Sequence, residues 1–271
     1  MVKPSGQADR PQPFQPRQSL GQHFLRSDQV VGKIVDAARL TKNDVVVEVG
    51  PGEGILTHRL ARTAKRVIAI EKDPRLIPIL RQNLREFTNV EIVSGDVRKI
   101  FPRLTKNYRV VANLPYYAAT HIIRMFLEAD RPPQTLVLML QKEVAQRICS
   151  RPPAMNLLAT SVQFYARAQI VCVVPKRYFW PRPKVDSAVI KLETLGPNRS
   201  VDQEIFFKIV KAGFTQPRKR LVNNLARGLK LAKADVEQWL AANGISPAAR
   251  AQNLGLDDWL TLAKTFALVL Q

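Results

Sequence analysis

Val45-Val46-Val47-Glu48-Val49-Gly50-Pro51-Gly52-Glu53-Gly54-Ile55 is the stretch that decides the fold of this chain. An almost continuous apolar run leads straight into three glycines, and a helical pattern follows over about residues 55–64. Such a run is what a strand needs when helices cover both faces of its sheet. Glycines at the turn let the backbone approach a ligand closely and adopt dihedrals that other residues avoid. The spacing excludes two alternatives. A dinucleotide loop wants its third glycine one position beyond Gly54, and a P-loop ends in Gly-Lys-Ser/Thr. Glu53 reads as a solvated turn residue.

Working outward, Val67 to Ile70, Val90 to Val93, Val110 to Ala112 and Leu136 to Leu140 read as further buried parallel strands. Helical patterns near 75–86, 118–129 and 142–149 separate them. This alternation predicts an α/β fold, a doubly wound sheet binding ligands at the carboxyl ends of its strands. Residues 166–174 and 185–195 suit a closing antiparallel pair, with Pro175, Pro181 and Pro183 shaping the connection. After Gly196-Pro197-Asn198 the pattern is helical only, from Asp202 on, with breaks near Gln216-Pro217, Gly228, Gly244 and Pro247. A small C-terminal all-α domain is expected there. Residues 1–18, rich in Pro and Gln and without an apolar h-region, read as a flexible basic arm rather than a secretory signal. The division is therefore 1–18, 19–197 and 198–271.

Hydrophobic residues make up 46% of the 271, which argues against global disorder. Forty-two Lys and Arg face twenty-two Asp and Glu, a net charge of +20. Self-repulsion of that size disfavours the compact state and points to a polyanionic partner. A membrane surface is the weaker candidate, because there is no long apolar run and no terminal basic amphipathic helix. Cys149 and Cys172 have no CxxC spacing and no neighbouring His. They read as small core residues rather than a disulfide, metal site or nucleophile, so a reducing compartment and a cytoplasmic protein are expected, with no metal.

Glu71 falls at the end of the second strand, where a carboxylate can accept from a ribose diol. Asp96 falls just past the third, where a carboxylate can meet an adenine amino group. Read separately, the glycines are a tight turn and the acids solvated strand ends. In register on successive strand ends, they and Glu48 resemble the S-adenosyl-L-methionine site of class I (Rossmann-like) methyltransferases. The fourth strand runs into Asn113-Leu114-Pro115-Tyr116-Tyr117. An adenine amino group is a poor nucleophile because its lone pair is delocalised into the ring. Two acceptors, the Asn113 side-chain oxygen and the Leu114 carbonyl, can hold its two protons and turn the lone pair toward a methyl donor. Pro115 stiffens the turn, and Tyr116 offers a π-face to a base taken out of its stack. Taken alone the segment is equally a strand-to-helix turn. Tyr117 is expected to pack against the sheet.

Gly21-Gln22-His23-Phe24-Leu25, Glu48-Val49-Gly50-Pro51-Gly52, Asn113-Leu114-Pro115-Tyr116 and Leu140-Gln141-Lys142-Glu143-Val144 resemble the ribosomal RNA adenine dimethyltransferase family. So do Phe179-Trp180-Pro181-Arg182-Pro183-Lys184-Val185-Asp186-Ser187-Ala188 and Arg218-Lys219-Arg220-Leu221-Val222-Asn223-Asn224-Leu225. The likeness spans about residues 18 to 260. Its last two motifs favour the small-subunit branch, which dimethylates two adjacent adenines near the 3′ end of 16S rRNA, over the antibiotic-resistance branch. The resemblance implies that His23, Leu25, Gly50, Glu71, Asp96 and Asn113 contact S-adenosyl-L-methionine or line its site, and that Tyr116 and Phe179 flank the target base. It also implies small-subunit rRNA in a partly assembled 30S-type subunit as partner; a monomer off the membrane is expected. Two departures stand out. The family often has Asn at His23, which is given no proton-transfer role. Its Tyr-Gly-x-Leu-Ser stretch appears as Met155-Asn156-Leu157-Leu158-Ala159, to which no function is carried.

Thr215-Gln216-Pro217-Arg218-Lys219-Arg220 is expected to open a helix running through Asn223, Asn224, Arg227 and Lys230 without an acid. Such a face can track phosphates, through Arg218, Lys219 and Arg220, while Asn223 and Asn224 contact sugars or bases. The bland alternative is a solvated basic face. Arg17, Arg26, Lys176, Arg177, Arg182 and Lys184 are candidates to extend the patch. Trp239, Trp259 and Phe266 read as core. Competing functions are a methyltransferase for large-subunit RNA, and a methyltransferase-like RNA-binding assembly or transcription factor with catalysis secondary. Intact Glu71, Asp96 and Asn113 to Tyr116 argue against lost catalysis.

Overall fold

The period-2 and period-3.6 patterns lay out one chain order in the structure, a computed structural model that describes residues 15–17, 21–100, 107–196 and 201–270. Most of the expected basic arm and the Pro197-Asn198 linker lie outside the described residues. In chain order the elements are β1 (Phe24–Leu25), α1 (Asp28–Ala38), β2 (Val45–Val49), α2 (Ile55–Thr63), β3 (Arg66–Glu71), α3 (Ile77–Asn83), β4 (Val90–Ser94) and α4 (Val97–Ile100). Then come β5 (Tyr108–Asn113), α5 (Ala119–Leu127), β6 (Thr135–Gln141), α6 (Lys142–Ile148), α7 (Leu157–Gln163), β7 (Ala166–Val174), β8 (Phe179–Trp180) and β9 (Ser187–Thr194). The chain ends with α8 (Gln203–Gly213), α9 (Leu221–Leu229), α10 (Lys233–Ala242) and α11 (Leu256–Thr265).

The main sheet has the order β4-β3-β2-β5-β6-β9-β7. Its first five strands are parallel, and β9 lies antiparallel between β6 and β7. The order reverses at β2, which has β3 on one side and β5 on the other. That switch point opens a crevice above the carboxyl ends of the strands. Successive β2 residues face opposite layers: Val47 and Val49 join the core that includes Ile123 and Phe126 on α5, and Val46 joins that of Ile34 on α1 and Leu60 on α2. One expectation is corrected here. β4 is only half-buried, because as the edge strand it has a single neighbour. Separately, β1 pairs antiparallel with β8, Phe24 opposite Trp180 and Leu25 opposite Phe179, forming a short ribbon over the crevice.

α1 was not expected from the sequence, although its signals are local. Ser27 accepts from the Val30 N–H as N-cap, and Val30, Val31, Ile34, Val35 and Ala38 form its buried stripe. The C-terminal helices enclose a third core around Phe206, Leu225, Trp239, Leu240 and Trp259, with Phe266. Each such side chain contributes roughly 1.5–3 kcal/mol on burial. This core also takes in Met155, Ala159 and Phe164, from before the expected boundary at 197. The Met155 N–H donates to the Gln252 carbonyl at 3.1 Å. The segment 155–164 thus keys the helices onto the sheet.

Candidate active site

The three glycines after β2 all take left-handed backbone, with φ of 69° at Gly50, 62° at Gly52 and 93° at Gly54. A Cβ on Gly52 would sit 3.0 Å from the Phe24 ring, so the loop closes directly under β1. Glu71 holds it from the other side, one carboxylate oxygen accepting the Gly52 N–H at 3.1 Å and the other the Asp73 N–H at 2.8 Å. Burial raises the Glu71 carboxyl above its ordinary range, and those two N–H groups oppose the rise. Each oxygen keeps a further lone pair. Behind it Arg75 holds Asp73 down to about 2, and the Gln22 side chain donates to Asp73 at 2.8 Å, tying the segment before β1 to this node.

Glu48, the acid inside β2, is fully buried and one of its oxygens has no partner. Burial pushes it up to about 8, and the Glu71 charge adds to the rise. Glu53 is not simply solvated: it pairs with Arg26 at 2.6 Å and bridges the loop to β1. Asp96 enters the crevice already neutralised. Arg98 grips both of its oxygens, and Lys72 stands 3.3 Å away, so its carboxyl is held well below the usual range. A ligand amino group there competes with Arg98.

At the end of β5 the Asn113 side-chain N–H donates to the His23 carbonyl at 3.1 Å, which leaves Oδ1 as the atom offered to a ligand. The Leu114 N–H is taken by the Met139 carbonyl at 3.0 Å, and Ala118 N–H closes the turn on the Pro115 carbonyl at 3.0 Å. The half-buried Tyr116 ring stacks on His23, centroids 5.5 Å apart, and its hydroxyl lies 2.7 Å from Ser187 Oγ on β9. His23 Nδ1 lies 2.7 Å from the Pro181 carbonyl, so that nitrogen carries the proton. One crevice is lined by His23, Leu25, Gly50, Glu71, Asp96, Asn113, Leu114 and Tyr116 together.

Other expectations are corrected. Tyr117 does not pack against the sheet; it is 58% exposed at the rim, its ring over Gly21. Phe179 does not reach the crevice. It is 5% exposed, and its ring is part of the core with Leu25, Val30 and Ile34, because the β1–β8 register turns Trp180 outward and Phe179 inward. The sequence reading overlooked Lys72 and Arg98, took Arg26 only as an extension of the basic patch and gave Ser187 no role of its own, because their places at the crevice follow only from strand order.

Arg218, Lys219, Arg220 and Asn223 are exposed, as are Arg227 and Lys230. The helix starts at Leu221 rather than at Thr215; residues 216–219 form a turn that carries Arg218 and Lys219, and Arg220 follows as the N-cap of α9. Asn224 is no surface residue: 5% exposed, it donates to the Gly213 and Gln216 carbonyls at 2.7 and 3.0 Å and braces α9 against α8. Beside Ser187, Lys176 N–H donates to the Asp186 carboxylate at 3.0 Å, in a shallow cleft shared with Lys142 and Lys184. Among the described residues no His, Cys, Asp or Glu cluster could hold a metal, and no helix is long and apolar enough to cross a membrane.

The crevice fits a nucleoside-bearing cation. Backbone free of Cβ atoms lines one wall, and Glu71 offers acceptors for hydroxyls. Comparison with known proteins identifies the family. The ribosomal RNA adenine dimethylase family matches residues 13–268. Ribosomal RNA small subunit methyltransferase A of Dehalococcoides mccartyi is 41% identical over 259 residues, covering 93% of this chain and 88% of the relative. A dimethyladenosine transferase from Plasmodium falciparum superposes with a TM-score of 0.78 at 25% identity, covering 91% of this chain and 98% of that one. The 23S rRNA methyltransferase ErmE superposes at 0.76 with 29% identity, covering 92% and 100%.

Proposed function

The chain belongs to the ribosomal RNA adenine dimethylase family and is an S-adenosylmethionine-dependent methyltransferase; we propose that it dimethylates the N6 amino groups of two adjacent adenines near the 3′ end of small-subunit rRNA. The observation that carries this reading is one crevice with Glu71 and the Gly50–Gly54 loop on one side and Asn113 to Tyr116 on the other. When bound, S-adenosylmethionine supplies an electrophilic methyl group. Glu71 receives the ribose hydroxyls, and Gly50 and Gly52 allow close backbone approach. Asn113 Oδ1 and the Leu114 carbonyl accept the two amino protons of the target base and so aim the nitrogen lone pair. The His23 carbonyl keeps the Asn113 amide from flipping. Ser187 fixes the Tyr116 ring, whose face supports the base and stabilises charge developing on the nitrogen. No strong general base is needed, because an alkylated adenine amino group sheds its proton readily.

Small-subunit RNA is preferred because the curated relative is named for that subunit; the ErmE likeness supports large-subunit RNA as the second reading. The working partner is a partly assembled small subunit, met by a cytoplasmic monomer. Mapping dimethyladenosine in both ribosomal RNAs, from cells with and without the gene, decides between them. Loss confined to adjacent adenines of the small subunit is expected, and loss in large-subunit RNA alone would reverse the assignment. Asn113→Ala protein should bind the cofactor and most RNA yet fail to restore the modification.

A further inference from the structure

Among the described residues two aromatic side chains are exposed, Tyr117 at 58% and Trp180 at 47%. Tyr117 stands at the rim of the crevice and Trp180 against Phe24, which lines it, so both rest on the same short segment. Tyr117 lies over Gly21, and Trp180 stacks on Phe24 with centroids 6.3 Å apart. Between them, at His23, the pairing turns inward: this ring stacks on Tyr116 inside the crevice. Gly21 and Phe24 are three residues apart, at most about 10 Å along extended chain. Two arginines stand close by. Arg26 lies 5.8 Å from the Trp180 ring centre and is steadied by Glu53, and Arg98, gripped by Asp96, lines the same crevice as Tyr117.

We propose that Tyr117 and Trp180 form an outer clamp that stacks the nucleotides on either side of the target adenine. The inference rests on the reading of this site as an RNA adenine methyltransferase. Extruding a base deprives its two neighbours of a stacking partner, and an exposed ring beside a cation replaces it without regard to sequence. The adjacent tyrosines divide the work. Tyr116 faces in and receives the extruded base; Tyr117 faces out and receives a neighbour. Because the expected targets are adjacent adenines, one of the stacked neighbours is itself the next substrate. Arg26 and Arg98 then meet the phosphates that join these nucleotides.

The test uses adenine-containing RNA oligonucleotides with 2-aminopurine immediately before or after the target, titrated against the full chain in saturating S-adenosylhomocysteine. Wild type should quench the probe at both positions. Tyr117→Ala should abolish quenching at one position and Trp180→Ala at the other, each weakening RNA binding roughly tenfold. Tyr117→Phe and Trp180→Phe should stay close to wild type, and calorimetry should give unchanged cofactor affinity for all four. Quenching and RNA affinity that survive in both alanine variants would overturn the clamp. So would a parallel loss of cofactor binding, which would make these rings part of the cofactor pocket. Wild type that transfers no methyl group to these oligonucleotides or to immature small subunits would overturn the underlying reading as well.

Discussion

Glu71 is held from both sides by backbone N–H groups, so its spare lone pairs face the crevice without any need to reorganise. Glu71→Ala should therefore weaken S-adenosylmethionine binding by about 1.5–3 kcal/mol, the worth of a hydrogen bond to a charged group. Calorimetry with unchanged affinity would remove Glu71 from the site. Glu48 gives a different signal. Unfolded, it holds no proton above about 4.5; folded, it holds one up to about 8. Stability should accordingly fall as pH rises through that window, by about 1.4 kcal/mol per unit from this group alone. Glu48→Gln, neutral at every pH, should lack that component. Urea midpoints of the two proteins between pH 5 and 8 test this, and curves that stay parallel would contradict it. At this scale Glu71 and Asn113 were legible because a strand end can be counted from its apolar run. Phe179 and Asn224 were not, since motif and charge say nothing about which face of a ribbon or helix meets the core.

Elements show where local preference and packing disagree. Gly228 lies on α9, where a Cβ would come within 2.6 Å of the Ala212 Cβ on α8. Alanine is the better helix former by about 1 kcal/mol. Overpacking at that crossing should outweigh the gain, so Gly228→Ala is expected to lower stability by roughly 1–3 kcal/mol. Asn224→Ala should cost a similar amount, because it strips the donor from the Gly213 and Gln216 carbonyls. Urea denaturation of each variant is the measurement, and a Gly228→Ala protein more stable than wild type would mean that the helices separate easily. The inner parallel strands were readable because burial on both faces leaves a nearly unbroken apolar run. α7 was not: its buried residues divide between the sheet core, with Val162, and the helical core, with Ala159, so no single stripe marks it. β1 and β8, two residues each, are too short to show any period and exist only because they pair with each other.

For the whole molecule, the net charge of +20 pointed to a polyanion but not to where it lies. The fold separates two tasks. The crevice is built from the sheet and the segment before α1, whereas Arg218, Lys219 and Arg220 ride on the turn and N-cap that open α9, braced from inside by Asn224. Methylating an adenine needs only the crevice; choosing one RNA requires contacts that a nucleoside cannot supply. Reversing Arg218, Lys219 and Arg220 to Glu should weaken RNA binding steeply and flatten its dependence on salt, since each phosphate contact adds about 0.7–0.9 to the logarithmic slope. All three side chains are exposed, so the fold should persist, and cofactor affinity should stay at the wild-type value. Methylation of naked RNA, immature subunits and mature subunits by both proteins completes the test. Wild type should favour the immature subunit, and the variant should lose that preference. A variant that methylates immature subunits as fast as wild type, with an unchanged salt slope, would reduce this turn to a solvated basic surface and move substrate choice to the rim of the crevice.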